Sequence, residues 1–457
     1  MNRKISWRSG RALPVLLVSA ALTACSAKTP TGSTPETAVA LLRYNANGTP
    51  DTTNLVGGTG LVTTDVNPFQ NDLGFAVVLQ PADGKIIAVG NTQAGVAVIR
   101  YNANGTLDTT FGSGGITVKS LPSAGALAFA ATLQTDGKLL VAGRSSPSSG
   151  PSSFLLLRYH TDNSTGAPGT LDTSFGTQGI VTTPIPSSTG SGAQAVAVSG
   201  TNIVVAGFAM MGGKFVIALA QYTSSGAPDP TFGSGTGTST GIVTKQIASG
   251  DTDAAALAVQ PADSKIVVAG LAGNAATQMW NVALLRYNAD GTPDLPFGGN
   301  NTGFVTNNIS SSSTYANAVA LQADGKIVVA GNAFADPFVS GTSDIAVLRY
   351  KTDGTLDTTG FGNPNGYVTK NIGAFDNGSA VAVQPLDQKI VVAGNADAGV
   401  ADRLALLRYN GDGSLDSNFG TAGIVTRDAS GPGTIAGAQG VVLQPQPGGE
   451  IVVVGYD

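Results

Sequence analysis

Two side chains that can hold each other by charge recur along this chain at a near-constant offset. Arg43, Arg100, Arg158, Arg286, Arg349 and Arg408 each precede a tyrosine, and Asp51, Asp108, Asp172, Asp294, Asp357 and Asp416 follow 8 to 14 residues later. A further copy carries Gln221 in the arginine's place, ahead of Asp229. A guanidinium can donate two parallel hydrogen bonds to a carboxylate. Each pair, such as Arg100 with Asp108, Arg349 with Asp357 or Arg408 with Asp416, is therefore expected to close within its own repeat. A feature copied this often points to architecture rather than to one reaction centre.

Other chemistry has little to draw on. His160 is the single histidine, Cys25 the single cysteine, and Glu occurs only at Glu36 and Glu450. A Ser-His-Asp triad would need His160, which directly follows an Arg-Tyr pair and reads as an exposed turn residue. No His/Cys cluster can hold zinc or copper, and glycosidase-type chemistry would fall to pairs of Asp. No catalytic residue, resident metal or cofactor is assigned. Calcium is the one cation with a conceivable site: residues 288–294 (NADGTPD) and 351–357 (KTDGTLD) place oxygens at alternate positions before a Gly, as oxygen-ligated loops do. The bidentate Glu of an EF-hand is missing, and an Asn/Asp-Gly turn with side-chain to backbone bonds accounts for the same pattern.

The elements that position these residues follow from a period. The tyrosines fall at Tyr44, Tyr101, Tyr159, Tyr222, Tyr287, Tyr350 and Tyr409, 57 to 65 residues apart. A repeat of that length decides the fold before any local signal does. Each unit holds four short runs rich in Val, Ile and Leu, for example residues 380–384 (AVAVQ), 389–394 (KIVVAG), 404–409 (LALLRY) and 423–426 (GIVT), bounded by Gly, Pro, Asn and Asp. These read as strands. With 62 Gly and two Glu, a helix has no room. Asp83-Gly84, Asp136-Gly137 and Asp324-Gly325 separate the first two runs and supply the positive φ of a tight hairpin. Four antiparallel strands repeated around a ring make a β-propeller, whose sheets are buried on both faces. Small residues at Ala76, Ala130, Ala195, Ala256, Ala318 and Ala380, with Leu or Val three positions later, suit interlocking neighbours. Residues 38–64 carry only the third and fourth strands of a unit, and 438–457 only the first two. Joined as one composite blade they give an all-β, seven-bladed propeller of four-stranded antiparallel blades over 38–457, without exposed sheet edges at the ends.

The strings 107–112 (LDTTFG), 171–176 (LDTSFG) and 415–420 (LDSNFG), with QADGKIVVAG and ALLRYN, resemble the delta-60 repeat β-propellers of bacterial secreted proteins. The resemblance covers essentially all of 38–457 and implies the fold. It implies no activity, because that family is defined by its repeat. Departures are local: Gln221 for Arg, Ser264 for Gly, and a hairpin at 199–202 without Asp-Gly.

Arg3, Lys4, Arg8 and Arg11 precede an apolar core at 12–21, and Leu22-Thr23-Ala24-Cys25 closes it. This resembles the lipobox of bacterial lipoproteins and implies a signal peptide at 1–24, cleaved before a lipidated Cys25. Residues 25–37 then form the lipidated Cys and a Pro/Thr/Ser-rich flexible tether. Ser26 after the Cys is similar to the pattern of lipoproteins sent to the outer membrane. Cleavage removes four cations and no acid, taking the formal charge from −5 to −9. An acidic chain without a basic run excludes nucleic acid and anionic lipid as partners, leaving the lipid anchor as the sole membrane contact.

Strand direction puts the second-to-third loop and the blade-to-blade loop of every unit on one face. Those loops vary, at 66–73, 208–214, 271–281, 332–344 and 370–378, while the two short Gly turns of the other face hardly change. Variation confined to one rim of a rigid scaffold fits a binding face. Phe69, Met211, Trp280, Tyr315, Phe338 and Phe375 are its candidate contact residues, expected to be exposed. The sequence thus favours a lipid-anchored extracytoplasmic scaffold that engages protein or glycan. An Asp-dependent hydrolase or lyase at the channel mouth and a structural envelope protein without a discrete ligand are the alternatives.

Overall fold

The computed structural model describes residues 37–68, 70–121, 124–164, 166–234, 240–335, 342–397, 402–428, 437–445 and 449–456. They belong to the compact unit Thr37–Asp457. The lipidation residue Cys25 and the rim residues Phe69 and Phe338 lie outside the described residues.

Seven four-stranded antiparallel sheets form the propeller. The first blade consists of β3 (Leu73–Leu79), β4 (Ile86–Thr92), β5 (Gly95–Tyr101) and β6 (Ile116–Lys119), and the second of β7 (Ala124–Leu133), β8 (Leu139–Pro147), β9 (Ser153–Tyr159) and β10 (Ile180–Thr183). The third holds β11 (Ser191–Ser199), β12 (Asn202–Met211), β13 (Lys214–Tyr222) and β14 (Ile242–Lys245), the fourth β15 (Thr252–Val259), β16 (Ile266–Gly273), β17 (Trp280–Tyr287) and β18 (Phe304–Asn307). The fifth holds β19 (Thr314–Leu321), β20 (Ile327–Phe334), β21 (Ser343–Tyr350) and β22 (Tyr367–Lys370), the sixth β23 (Asp376–Val383), β24 (Ile390–Asp397), β25 (Asp402–Tyr409) and β26 (Ile424–Asp428). The seventh is composite, in the order β2 (Leu61–Thr64), β1 (Val39–Tyr44), β28 (Ile451–Tyr456) and β27 (Gly437–Leu443). Val39 pairs with Tyr456 and Tyr44 with Ile451, so the two ends of the chain close the ring.

Second and third strands are buried almost throughout because each lies between two neighbouring sheets. The first strands touch one another around the ring, β3 with β7, β7 with β11 and so on to β27 with β3, and therefore line the central channel. Period-2 alternation then divides each inner strand between two interfaces. Ala76 and Val78 pack against the second blade, while Val77 and Leu79 pack against the closing blade. The small and large residues recognised in the sequence thus face opposite neighbours.

The turns obey the residue chemistry. Gly84, Gly137 and Gly325 adopt φ of 70°, 83° and 81°. Where that glycine is replaced, Ser264 and Gln388 are still left-handed, at 58° and 57°. The segment 208–214, expected as a variable loop, is instead the end of β12 and a hairpin: Met211 pairs with Lys214 across Gly212-Gly213. Two consecutive glycines with positive φ let the strands continue to the tip.

Candidate functional site at the channel mouth

The recurring Arg and Asp meet in every blade that has both. Arg43, Arg158, Arg349 and Arg408 approach their Asp at 2.7 to 2.9 Å through Nη2, and Arg100 and Arg286 at 2.8 and 2.6 Å through Nε. Each pair also reaches across to the following blade. Nη1 of Arg43, Arg100 and Arg408 donates to the carbonyls of Ala103, Thr161 and Ala46, and Nη1 of Arg158, Arg286 and Arg349 to Ser224, Thr352 and Gly411. Arginine planes stack over Phe111, Phe175, Phe297, Phe361 and Phe419 at 4.3 to 4.9 Å. The third blade keeps the geometry with neutral groups: Gln221 Nε2 donates to Ala289 O at 3.4 Å and Asn202 Nδ2 to Asp229 at 2.9 Å. These residues staple each blade to the next.

In the candidate calcium loops, Asp290 and Asp353 each accept hydrogen bonds from the amide and hydroxyl of a Thr two residues on. Asp294 and Asp357 face Arg286 and Arg349 instead. The carboxylates of each loop serve separate partners.

His160 differs from expectation. It is 8% exposed, with Nε2 3.9 Å from Asp172. The long turn that follows folds back over it, and Gly166 makes room: a Cβ there would stand 2.5 Å from the imidazole.

The other end of the channel carries the non-repeating chemistry. Every inner strand has a β-bulge at the same place, so that one residue is left unpaired between two small ones. The small residues are Gly74 and Ala76 in the first blade and Ala316 and Ala318 in the fifth. The bulge depends on a glycine in the second strand, for a methyl on Gly331 would land on the Tyr315 carbonyl oxygen. The unpaired residues are Phe75, Phe129, Gln194, Ala255, Asn317, Ser379 and Gln439, all half-buried. Bulges re-aim side chains, and here seven of them form a collar whose identities differ while their flanks are nearly constant. Phe75 and Phe129 meet edge to face, centroids 5.7 Å apart. Asn317 Nδ2 donates to Asn332, Asn377 and the Gly378 carbonyl at 2.8 to 3.0 Å. Gln194 Nε2 donates to Asp253 at 2.8 Å. Asp253 is 5% exposed, and burial, opposed by the bonds from Gln194 and the Ala254 amide and reinforced by Asp251, raises its pKa to about 7.

The described rim residues, Met211, Trp280, Tyr315 and Phe375, are less exposed than the sequence suggests. Met211 packs against the core of the second and third blades. Trp280 and Phe375 are half-buried. Tyr315 is buried at 7%, because β19 begins upstream of it and its ring packs on Phe334 at 5.4 Å, which in turn meets Phe375 at 5.8 Å. Asp376, beside them, accepts amides of Ile372 and Gly373 and so caps the preceding loop, although burial raises its pKa. Among the described residues no group of three His, Cys, Asp or Glu could hold a metal ion.

No curated protein sequence matches the chain. Among solved structures it is similar to Sqt1 from Chaetomium thermophilum, at 15% identity and a TM-score of 0.41 over 84% of this chain and 94% of that one. It is similar to the polysaccharide lyase Uly1, at 8% identity and a TM-score of 0.42 over 92% and 98% of the two chains. Drosophila Plexin A, in a complex with Semaphorin 1b, aligns at 9% identity and a TM-score of 0.41 over 84% and 85%. The model of one family, described as a domain of unknown function (DUF5122) beta-propeller, matches residues 33–53, 82–111, 134–175, 202–232, 262–297, 322–359 and 387–419, together half of the chain. With the blades, their stapling pairs and the matched segments in agreement, the chain belongs to the DUF5122 beta-propeller family.

Proposed function

We propose that this propeller is a lipid-anchored, extracytoplasmic binding scaffold of the bacterial envelope, probed by protein or glycan partners at its variable face. The observation that carries the reading is the contrast between the two ends of the ring. One end repeats the same Arg, Asp and Gly turns in nearly every blade. At the other, the collar residues and the loops differ from blade to blade on an unchanging frame, as in scaffolds that carry function on loops. The outer-membrane destination rests on Cys25 and Ser26. An enzyme would need two carboxylates facing a common substrate; among the described residues Asp253 is held by Gln194 and Asp376 caps a loop.

Crosslinking from intact envelopes tests the proposal. A variant with the 274–279 and 335–342 loops replaced by short Gly-Ser turns, melting like the parent, is expected to lose specific partners. Identical recovery from parent and variant would refute a binding role for this face.

A further inference from the structure

Among the described arginines, Arg144 stands outside every pairing scheme. Its half-buried side chain makes no ion pair, and its Nε is buried with no hydrogen-bond partner. The six stapling arginines hold Asp residues, Arg427 donates to Thr59, and Arg403 is engaged too. Burial lowers the pKa of Arg144, and no carboxylate opposes the shift. A partly desolvated cation without a counter-charge adds nothing evident to folding stability, which makes it a candidate for a role in binding.

Its place in the fold supplies the reason. Arg144 lies on β8 opposite Leu127 of the inner strand β7. At the same position in the first and fifth blades, Asn91 and Asn332 reach across to the next inner strand, at Ala128 and the Asp376 carbonyl. Arg144 extends the same way over the third blade, where Gly192 has no side chain; a Cβ there would stand 3.3 Å from Arg144 Cδ. The guanidinium is thus carried one step nearer the variable face than the collar. Phe129 follows two residues after Leu127, and Gln194 two after Gly192.

We infer that Arg144 anchors a ligand at the variable-face mouth of the channel, and that the ligand is a sugar bearing a carboxylate, a uronic acid. This rests on the reading of that face as the binding face. The planar guanidinium matches a carboxylate with two parallel hydrogen bonds. The chain is itself acidic, with a formal charge of −5, which repels polyanions and leaves an isolated carboxylate as the fitting charge. The Gln194 and Asn317 amide nitrogens are already bonded, which leaves their side-chain oxygens as acceptors, and Ser379 and Gln439 add a hydroxyl and an amide, as hydroxyl-rich ligands require. Phe75 and Phe129 offer apolar faces for the C–H surface of a sugar ring.

The test is a titration of the full chain with glucuronate and galacturonate, against glucose and galactose as neutral counterparts, followed by saturation-transfer NMR and calorimetry. At least one uronate is expected to bind, and its neutral counterpart more weakly. Arg144→Gln should weaken uronate binding by about tenfold to a hundredfold, the range of a lost charge-assisted bond, and erase the preference over the neutral sugar. Arg144→Lys should fall between. Arg144→Gln must melt at or above the parent's temperature, since it removes an unpaired, half-buried charge. Unchanged uronate affinity in Arg144→Gln overturns the inference. So does binding of an N-acetylated tripeptide carboxylate by the parent when neither uronate binds, and so does the absence of any binding. In that last case, partner loss in the crosslinking experiment would still uphold the wider reading.

Discussion

The staple across the closing seam gives the sharpest test of the architecture. Arg408 donates Nε and Nη2 to Asp416 Oδ2 at 2.8 and 2.7 Å, and Nη1 to the carbonyl of Ala46 at the other end of the chain. Asp416 is 2% exposed, and Lys389 Nζ also stands 2.8 Å from it. Removing one member of a buried pair costs about 3 to 5 kcal/mol. Lys389, a quarter exposed, retains part of the compensation, so Arg408→Gln should cost about 3 kcal/mol. For a ring of roughly 420 residues unfolding as a unit, that is a fall in Tm of about 3 °C. The third blade shows what repairs it. There Gln221 stands with Asn202 where other blades have Arg with Lys, and Asn202 feeds the carboxylate. The double variant Lys389→Asn, Arg408→Gln should therefore lose less than the two single variants together, by about 1 kcal/mol or more. Urea unfolding of the four proteins measures this coupling. Additive losses, or an Arg408→Gln midpoint equal to the parent's, would refute the stapling argument.

Other expectations follow from single residues. Asp253 has its pKa raised above the unfolded value, so its contribution to stability is present below about pH 4 and lost as pH rises through about 7. Asp253→Asn should therefore melt above the parent at pH 8 and alike at pH 4; equal melting at both would refute the buried acid. Asp108 behaves oppositely. Burial alone would raise its pKa, but bonds from Thr110, with Lys85 and Arg100, outweigh it and hold the carboxyl at about 2. Asp51, Asp294 and Asp416 are lowered in the same manner. The stability from these carboxylates is present above about pH 4 and lost as pH falls below it, for Asp108 through about 2, so acid unfolding monitored by circular dichroism should set in below about pH 4. Ser264→Gly relieves a left-handed residue at φ 58° and should raise stability by up to about 1 kcal/mol; a decrease in denaturant midpoint would count against strain there. Cys25→Ser should abolish incorporation of labelled palmitate, and undiminished labelling would overturn the lipid anchor.

The blade count, the strand order and the closing seam were legible in the sequence because period and hairpin chemistry are local signals repeated seven times. The Arg–Asp pairing was legible too, since the offset brings both to one turn. Their reach into the next blade was not, because no pattern within one repeat reveals which carbonyl of another lies alongside. The collar was hidden for a related reason. A bulge adds one residue without altering composition, and the tripeptides around Phe75, Gln194 and Asn317 look like ordinary strand. The glycines of the second strands were the available clue, and they read as strand ends. Tyr315 and His160 seemed exposed because their surroundings are loop-rich, yet a longer strand and a folded-back turn bury them. Arg144 carries no motif at all; only its lack of partners marks it.

The position of β1 within the seventh sheet determines how the molecule would bear force. β1 is an interior strand, hydrogen-bonded to β2 on one side and β28 on the other. A pull on the chain ahead of Val39, along the strand, loads both ladders at once in shear, so that many hydrogen bonds resist together. Were the N-terminal strand at a sheet edge and peeled sideways, its bonds would yield one after another. A protein tethered by its N-terminus to a surface and tugged through a ligand on its ring would thus carry the tension through its best-braced strand, with the chain's last residues serving as the brace.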